Sequence, residues 1–207
     1  MEDPLRQSFW QSSDTALLLN PKLPCPDEGW LRDEPSVAGQ VIFRTSGSQG
    51  LAKYVCLTRA ALLASATAVN RHLKATTEDV WLGCLPTFHV GGLGIAVRAH
   101  AADCEAVFME SKWDPKRFTA RCGESGATLT SLVPTQLYDL VVAGSHAPPD
   151  LRAVLVGGGT LERLLDKQAR ELGWPVLRTY GMTETASQVA TQKLDASFSD
   201  PMIVLPI

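Results

Sequence analysis

Beyond Val41 the chain alternates between two hydrophobic periods. Short aliphatic and β-branched runs, Val41-Ile-Phe43, Val80-Trp-Leu82, Ala106-Val-Phe-Met109, Thr128-Leu-Thr-Ser-Leu-Val133, Ala153-Val-Leu-Val156 and Val176-Leu-Arg178, read as buried strands. Between them, apolar positions recur at helical spacing over residues 58–74, 92–102, 114–124, 134–143 and 160–172. This alternation predicts an α/β fold with largely parallel sheets flanked by helices. Ligands of such sheets gather beyond the carboxyl ends of the strands. Residues 1–38 are rich in Pro, Asp and Glu, carry isolated Trp10 and Trp30, and sustain an apolar run only at Ala16-Leu-Leu-Leu19. They are expected to form a loosely structured lead-in to a domain over 39–207.

Two polar segments fall at strand ends. Thr45-Ser-Gly-Ser-Gln-Gly-Leu-Ala-Lys53 follows the Val41 run. Gly47 and Gly50 let backbone approach a ligand, Thr45, Ser46 and Ser48 offer hydroxyl donors, Gln49 an amide, and Lys53 a charge at the rim. This composition suits a phosphate cradle, and it equally describes a flexible surface turn. It is not a Walker loop, because Ala52 and Tyr54 flank the lysine. The second segment, Tyr180-Gly-Met-Thr-Glu-Thr185, reads as a glycine turn with two hydroxyls and a carboxylate after Val176-Leu-Arg178. Glu184 beside a phosphate would repel it unless a Mg²⁺ ion bridged the two. The alternative is local: Thr183 caps a helix and Glu184 favours its first turn.

Composition narrows the class. The chain has 207 residues, 45% hydrophobic and 20% charged, which is enough to bury a sizeable core. A net charge of −3 with scattered lysines and arginines leaves no nucleic-acid footprint. Cys25, Cys56, Cys84, Cys104 and Cys122 show no Cys-x-x-Cys spacing, which points to reduced, packed thiols. No basic region followed by an apolar stretch opens the chain, and no apolar run is long enough to span a bilayer. A soluble, cytoplasmic enzyme domain acting on small molecules is the expectation, with a homo-oligomer left open.

The two polar segments together resemble the adenylate-forming superfamily of acyl-CoA synthetases, adenylation domains and luciferases. Its phosphate loop reads Thr-Ser-Gly-Thr-Thr-Gly-x-Pro-Lys and its later motif Tyr-Gly-x-Thr-Glu. Leu85-Pro-Thr-Phe-His89, Leu132-Val-Pro-Thr-Gln136 and Val154-Leu-Val-Gly-Gly-Gly159 agree in order and spacing. Phe88-His-Val-Gly-Gly-Leu-Gly-Ile-Ala-Val-Arg98 and Thr183-Glu-Thr-Ala-Ser-Gln188 are similar, within that superfamily, to the o-succinylbenzoate–CoA ligases of menaquinone synthesis.

The resemblance implies ATP, Mg²⁺ and coenzyme A, a carboxylic acid substrate, and two steps: acyl-adenylate formation, then thioester formation with release of AMP. It implies that Thr45, Ser46, Gly47, Ser48, Gln49, Gly50 and Lys53 surround phosphates, that Glu184 holds the metal, and that Thr183 donates to the α-phosphate. Gly157, Gly158, Gly159, Tyr180, Gly181 and Met182 match the adenine side of the site. His89 reads on its own as a packed core histidine, whereas the Phe-His match makes it a wall of the acyl pocket near Gly91 and Gly92. Arg98 is either an exposed helix cation or, with Ser187 and Gln188, the holder of a distal carboxylate or keto group.

Departures accompany the match. Gln49 stands for the usual hydroxyl residue and Ala52 for proline, which loosens the loop. The superfamily pattern also includes a longer segment before the phosphate loop, and afterwards a ribose-binding aspartate, a hinge and a small domain with a catalytic lysine. The expectation is a partial domain: a fragment, a truncated product or a minimal relative, whose alternatives in function are a noncatalytic nucleotide-binding remnant and a module that loads a carrier protein.

Overall fold

Residues 6–21, 31, 34–46, 52–109 and 112–206 are described by a computed structural model. Strands β1 (Ala16–Leu18), β2 (Gln40–Ser46) and β3 (Ala52–Thr58) form a three-stranded sheet in that order. A seven-stranded sheet contains β4 (Val80–Gly83), β5 (Glu105–Phe108), β6 (Leu129–Leu132), β7 (Ala153–Val156), β8 (Val176–Met182), β9 (Ser187–Gln192) and β10 (Met202–Val204), in the order β10-β9-β8-β7-β6-β4-β5. The helices are α1 (Gln7–Gln11), α2 (Arg59–Leu73), α3 (Val90–Ala102), α4 (Pro115–Glu124), α5 (Pro134–Val142) and α6 (Arg163–Glu171).

Strands β5 through β8 pair in parallel, whereas β8, β9 and β10 pair antiparallel. The α/β expectation therefore holds, with an antiparallel extension at one edge. Side chains alternate across the large sheet. Trp81, Leu129, Ala153, Leu155 and Leu177 pack with Val69, Leu73, Ile95 and Ala99 of α2 and α3. Leu82, Leu132, Val154, Val156 and Val176 pack on the other face with Phe118, Leu137, Leu140 and Ala169 of α4, α5 and α6. Both faces are covered, which is why these strands read as apolar runs rather than as a polar alternation.

Helices α2 and α3 are shared between the sheets. Leu62, Ala66, Leu93, Ala96 and Val97 also pack against Val41, Phe43, Val55 and Leu57 of β2 and β3. Thr58 caps α2 by accepting from the Ala61 amide at 3.0 Å, and Lys74 closes it at φ 51°. Asp114 caps α4 in the same way through the Arg117 amide at 2.8 Å.

Several boundaries differ from the sequence pattern. The helix expected over 160–172 begins only at Arg163, because Leu161 is buried ahead of it and Glu162 is the extended cap. The helix expected from residue 92 starts at Val90. Within residues 1–38, Phe9 and Trp10 on α1 are buried, and β1 pairs in parallel with β2. Arg59 fixes this part, donating to the Phe9 carbonyl at 2.7 Å and the Gly39 carbonyl at 2.7 Å.

Candidate active site

β2 and β3 are two arms of a hairpin in which Thr45 lies opposite Lys53. The Thr45 hydroxyl donates to the Lys53 carbonyl at 3.3 Å. Gly47, Ser48, Gln49 and Gly50, the expected phosphate cradle, lie outside the described residues, as does the Ser46 side chain. Lys53 itself is on a strand, and its ammonium meets the Glu184 carboxylate at 2.6 Å. The Lys53 hydrogen bond holds the Glu184 carboxyl below its ordinary pKa, so it is anionic at neutral pH.

The Tyr180–Met182 segment is not a turn, as its glycine had implied. It continues β8, with an irregularity in register between Tyr180 and Gly181. A Cβ at Gly181 would lie 1.7 Å from the Ser187 carbonyl oxygen, so the close crossing of β8 and β9 is the reason for glycine here. Thr183, Glu184 and Thr185 form a single 3-10 turn rather than the start of an α-helix. Ala186 and Ser187 then take φ of 54° and 95°, left-handed values rare for residues with a side chain. This strained corner turns the Ser187 hydroxyl toward α3.

There it meets Arg98. The guanidinium is only 3% exposed and donates to Ser131 Oγ at 3.2 Å, Ser187 Oγ at 3.3 Å and Gln188 Oε1 at 3.3 Å. It also lies over the Trp81 ring, 5.5 Å from the centroid. Every one of these partners is neutral. Burial pulls its pKa down to about 10, with no carboxylate opposing the shift. A buried cation satisfied only by neutral groups is costly, and it leaves a positive field at the site. Arg98 is therefore not the exposed helix cation that one reading of the sequence allowed.

Arg98, Ser131, Ser187 and Gln188 line one cavity of about 140 Å³ together with Gly91, Gly157, Gly158, Thr179, Gly181 and Met182. The remaining walls include Leu85, Val90, Val133 and Leu155. Most of these lie at or just beyond the carboxyl ends of β6, β7 and β8. Gly157 is narrow by necessity, since a Cβ there would sit 2.5 Å from Thr179 Oγ1. Gly159 and Tyr180 stand outside the lining; Tyr180 is exposed, and Gly159 abuts Pro134. Gly92 is spent on packing: a Cβ would fall 2.2 Å from the Pro86 carbonyl oxygen.

His89 is the N-cap of α3, and its ring lies tilted at 53° to that of Phe88, 4.5 Å between centroids. It is exposed and lies beside the cavity's lining rather than in it, yet enough protein surrounds the ring for desolvation to lower its pKa, which keeps the imidazole neutral at pH 7. Gln188 is buried, using its carbonyl on Arg98 and its amide on Thr191. Ser131 and Thr179 were not marked by sequence reasoning. Ser131 is the third residue of β6, and Thr179 directly follows the part of β8 that pairs in parallel, so both stand near the strand ends where ligands collect.

The arrangement can hold anions and a metal. Glu184 is paired with Lys53, and no cluster of three His, Cys, Asp or Glu side chains suited to a metal occurs among the described residues. A single carboxylate fits Mg²⁺, which keeps waters and takes its other ligands from phosphates.

A largely parallel α/β sheet with a cavity at its carboxyl edge is the architecture of a ligand-binding α/β domain. The chain belongs to the AMP-binding enzyme family, whose model matches residues 30–205. It is 36% identical over 168 residues to a 2-succinylbenzoate–CoA ligase of Bacillus cytotoxicus, covering 80% of this chain and 35% of the relative. A second such ligase, of Bacillus cereus strain Q1, is 34% identical over 172 residues, covering 82% and 36%. The chain thus spans about a third of the length of these relatives. Among solved structures it is similar to the Bacillus subtilis o-succinylbenzoate CoA synthetase, MenE, in complex with ATP and magnesium, with a TM-score of 0.70 and 31% identity over 75% of this chain and 32% of that one. Escherichia coli MenE with a bound analogue of OSB-AMS gives 0.68 and 37%, over 80% and 35%.

Proposed function

We propose that this chain is part of an ATP-dependent acid–CoA ligase, AMP-forming, that activates a dicarboxylic acid of the 2-succinylbenzoate type. The observation that carries the reading is Arg98: a buried guanidinium, without an acidic partner among the described residues, lining a cavity in the sheet's carboxyl edge. The 3-10 turn bearing Glu184 leads directly to Ser187, which contacts Arg98, so the metal-side acid and the cavity belong to one short segment. The names of the relatives and the ATP and magnesium of the MenE complex support the same assignment.

In this reading Arg98, Ser131 and Ser187 bind the carboxylate that is not activated, and Gln188 positions Arg98. His89, Gly91 and Gly92 border the acid. The flat base and ribose side falls to Gly157–Gly159, Tyr180, Gly181 and Met182, and the phosphates to Thr45, Ser46, the loop through Gly50, Lys53 and Thr183. Magnesium, held through Glu184, supplies charge neutralisation at the phosphates. Catalysis consists of holding two anions together and stabilising charge on the α-phosphate, so donors and positioning carry it rather than a nucleophilic side chain. Coenzyme A then takes the acyl group. We place the protein in the cytoplasm with soluble biosynthetic enzymes, and take residues 39–207 as part of the larger nucleotide-binding domain of such a ligase.

Pyrophosphate release from ATP with 2-succinylbenzoate, measured with and without coenzyme A on the full chain, tests this. Turnover with that acid, and thioester only with coenzyme A, is expected of the ligase. ATP binding without turnover would mark a noncatalytic nucleotide-binding form, and turnover with amino acids a module that loads a carrier protein.

A further inference from the structure

Helix α3 opens Val90-Gly-Gly-Leu-Gly94, and glycine is among the least favourable residues inside a helix, so each needs a reason. Gly92 has one in the Leu85 and Pro86 carbonyls, which leave no room for a Cβ. Gly94 has a different one. No backbone crosses it, and it takes no left-handed φ that would demand glycine. A Cβ placed there would instead meet Arg98 Nη2 at 3.2 Å, Ser187 Oγ at 3.4 Å and Arg98 Cζ at 3.5 Å. A methyl there would press the guanidinium, which folds back one turn along its own helix, by a few tenths of an ångström, and a larger side chain would reach into the space where it meets the hydroxyl.

We propose that Gly94 is a specificity-determining residue: its missing side chain is the room in which Arg98 and Ser187 meet, and filling it displaces the anion-binding end of the cavity. Arg98 sits at i+4 from Gly94, on the same helical face, so any side chain at 94 competes for the same volume. The consequence is selective. A methyl would nudge Arg98 and a larger side chain would draw it off Ser187, altering the site for the acid's second carboxylate while the walls formed by Leu85, Val133 and Gly157 stay in place. This inference rests on the dicarboxylic acid reading above.

The test compares the full chain with its Gly94→Ala and Gly94→Val variants, and with Gly123→Ala, a helical glycine whose Cβ would meet nothing within 4 Å. Each is titrated with 2-succinylbenzoate and with 4-oxo-4-phenylbutanoate, the same skeleton lacking the ring carboxylate. Affinity for the dicarboxylate should fall in steps from Gly to Ala to Val, by about tenfold at Val, the scale of one lost charge-assisted contact. Affinity for the monocarboxylate should be unchanged, and Gly123→Ala should bind both as the parent does. Equal losses for both acids, or none, overturn the inference. A second measurement needs no acid. The Nε–H resonance of Arg98, assigned by its absence in Arg98→Lys, should shift in Gly94→Ala and remain fixed in Gly123→Ala; a fixed resonance in both rejects Gly94. If the parent chain does not distinguish the two acids, the dicarboxylic acid reading falls, and the resonance still decides whether Gly94 sets the position of Arg98.

Discussion

The Lys53 ammonium and the Glu184 carboxylate meet at 2.6 Å although 131 residues separate them in sequence. The contact ties the β2–β3 hairpin to the 3-10 turn after β8, and it places the cation and the acid of the two polar sequence segments side by side. Both side chains are substantially exposed, so the pair itself adds little stability. Its consequence is local: under the proposed function, the two groups stand together on the phosphate and metal side of the site.

Lys53→Met and Glu184→Gln should therefore separate binding from folding. Thermal unfolding of both variants should stay close to that of the parent, because an exposed pair adds little stability. Lys53→Met should weaken ATP about tenfold in calorimetric titration, as expected for loss of one charged phosphate contact. Glu184→Gln should remove the dependence of ATP affinity on Mg²⁺. Retention of that dependence would exclude Glu184 as the metal's carboxylate.

Arg98 calls for the opposite comparison with its surroundings. Arg98→Met removes a buried cation that no carboxylate compensates, but strands the Gln188 carbonyl and two hydroxyls. These effects oppose one another at about 1–3 kcal/mol each. Stability measured by urea unfolding should change by less than about 2 kcal/mol, while binding of 2-succinylbenzoate is lost. A large loss of stability would instead make Arg98 a structural residue.

Asp79 and Arg152 form the contrasting case, a buried acid and a half-buried arginine, neither of which lines the cavity. Arg152 donates to both carboxylate oxygens at 2.8 and 2.7 Å, Thr128 adds a third bond at 2.7 Å, and the Thr76 amide a fourth at 2.9 Å. Burial raises the Asp79 pKa, but these bonds outweigh it and the net shift is downward. The pair therefore contributes fully above the unfolded aspartate value, near about 4, and its contribution is lost as pH falls through the lower folded value. Arg152→Met should cost about 3 kcal/mol, because it leaves the acid buried and unpaired. It should also flatten the fall in stability as pH drops below about 4, read from urea unfolding at each pH.

The parallel core was legible because both faces of its strands are buried, so Val80-Trp-Leu82 and Ala153-Val-Leu-Val156 stand out as apolar runs. Strand β3 was not, since Lys53 and Tyr54 stand near its start and, among its described side chains, only Val55 and Leu57 are buried. The Tyr180–Met182 stretch reads as a turn because glycine usually marks one, whereas here it marks a close crossing by β9. The burial of Arg98 had a signal that went unused. The stretch of its helix that precedes it, Gly91-Gly-Leu-Gly-Ile-Ala-Val97, has no polar face, and a stretch apolar all round is enclosed, as Gly92 to Ala99 are. What no local pattern reveals is the convergence of Ser131 and Ser187 on Arg98, which depends on the order of strands in the sheet.

Gly181 makes the coupling between fold and site testable in a single substitution. It lies at the irregular step of β8, and the space beside it belongs to the Ser187 carbonyl and the Gln188 Cα, so alanine can fit only if β9 moves away. Ser187 is already held at φ 95°, and its hydroxyl reaches Arg98 from that conformation. Gly181→Ala should therefore act twice. It should destabilise the fold by about 1–3 kcal/mol, the cost of overpacking against backbone that cannot yield freely. It should also draw Ser187 off Arg98 and weaken binding of a dicarboxylic acid, although residue 181 has no side chain to touch the ligand. Thermal unfolding and acid titration on the same preparation check both effects. Destabilisation with unchanged affinity would show that the β8–β9 crossing supports the sheet without setting the geometry around Arg98.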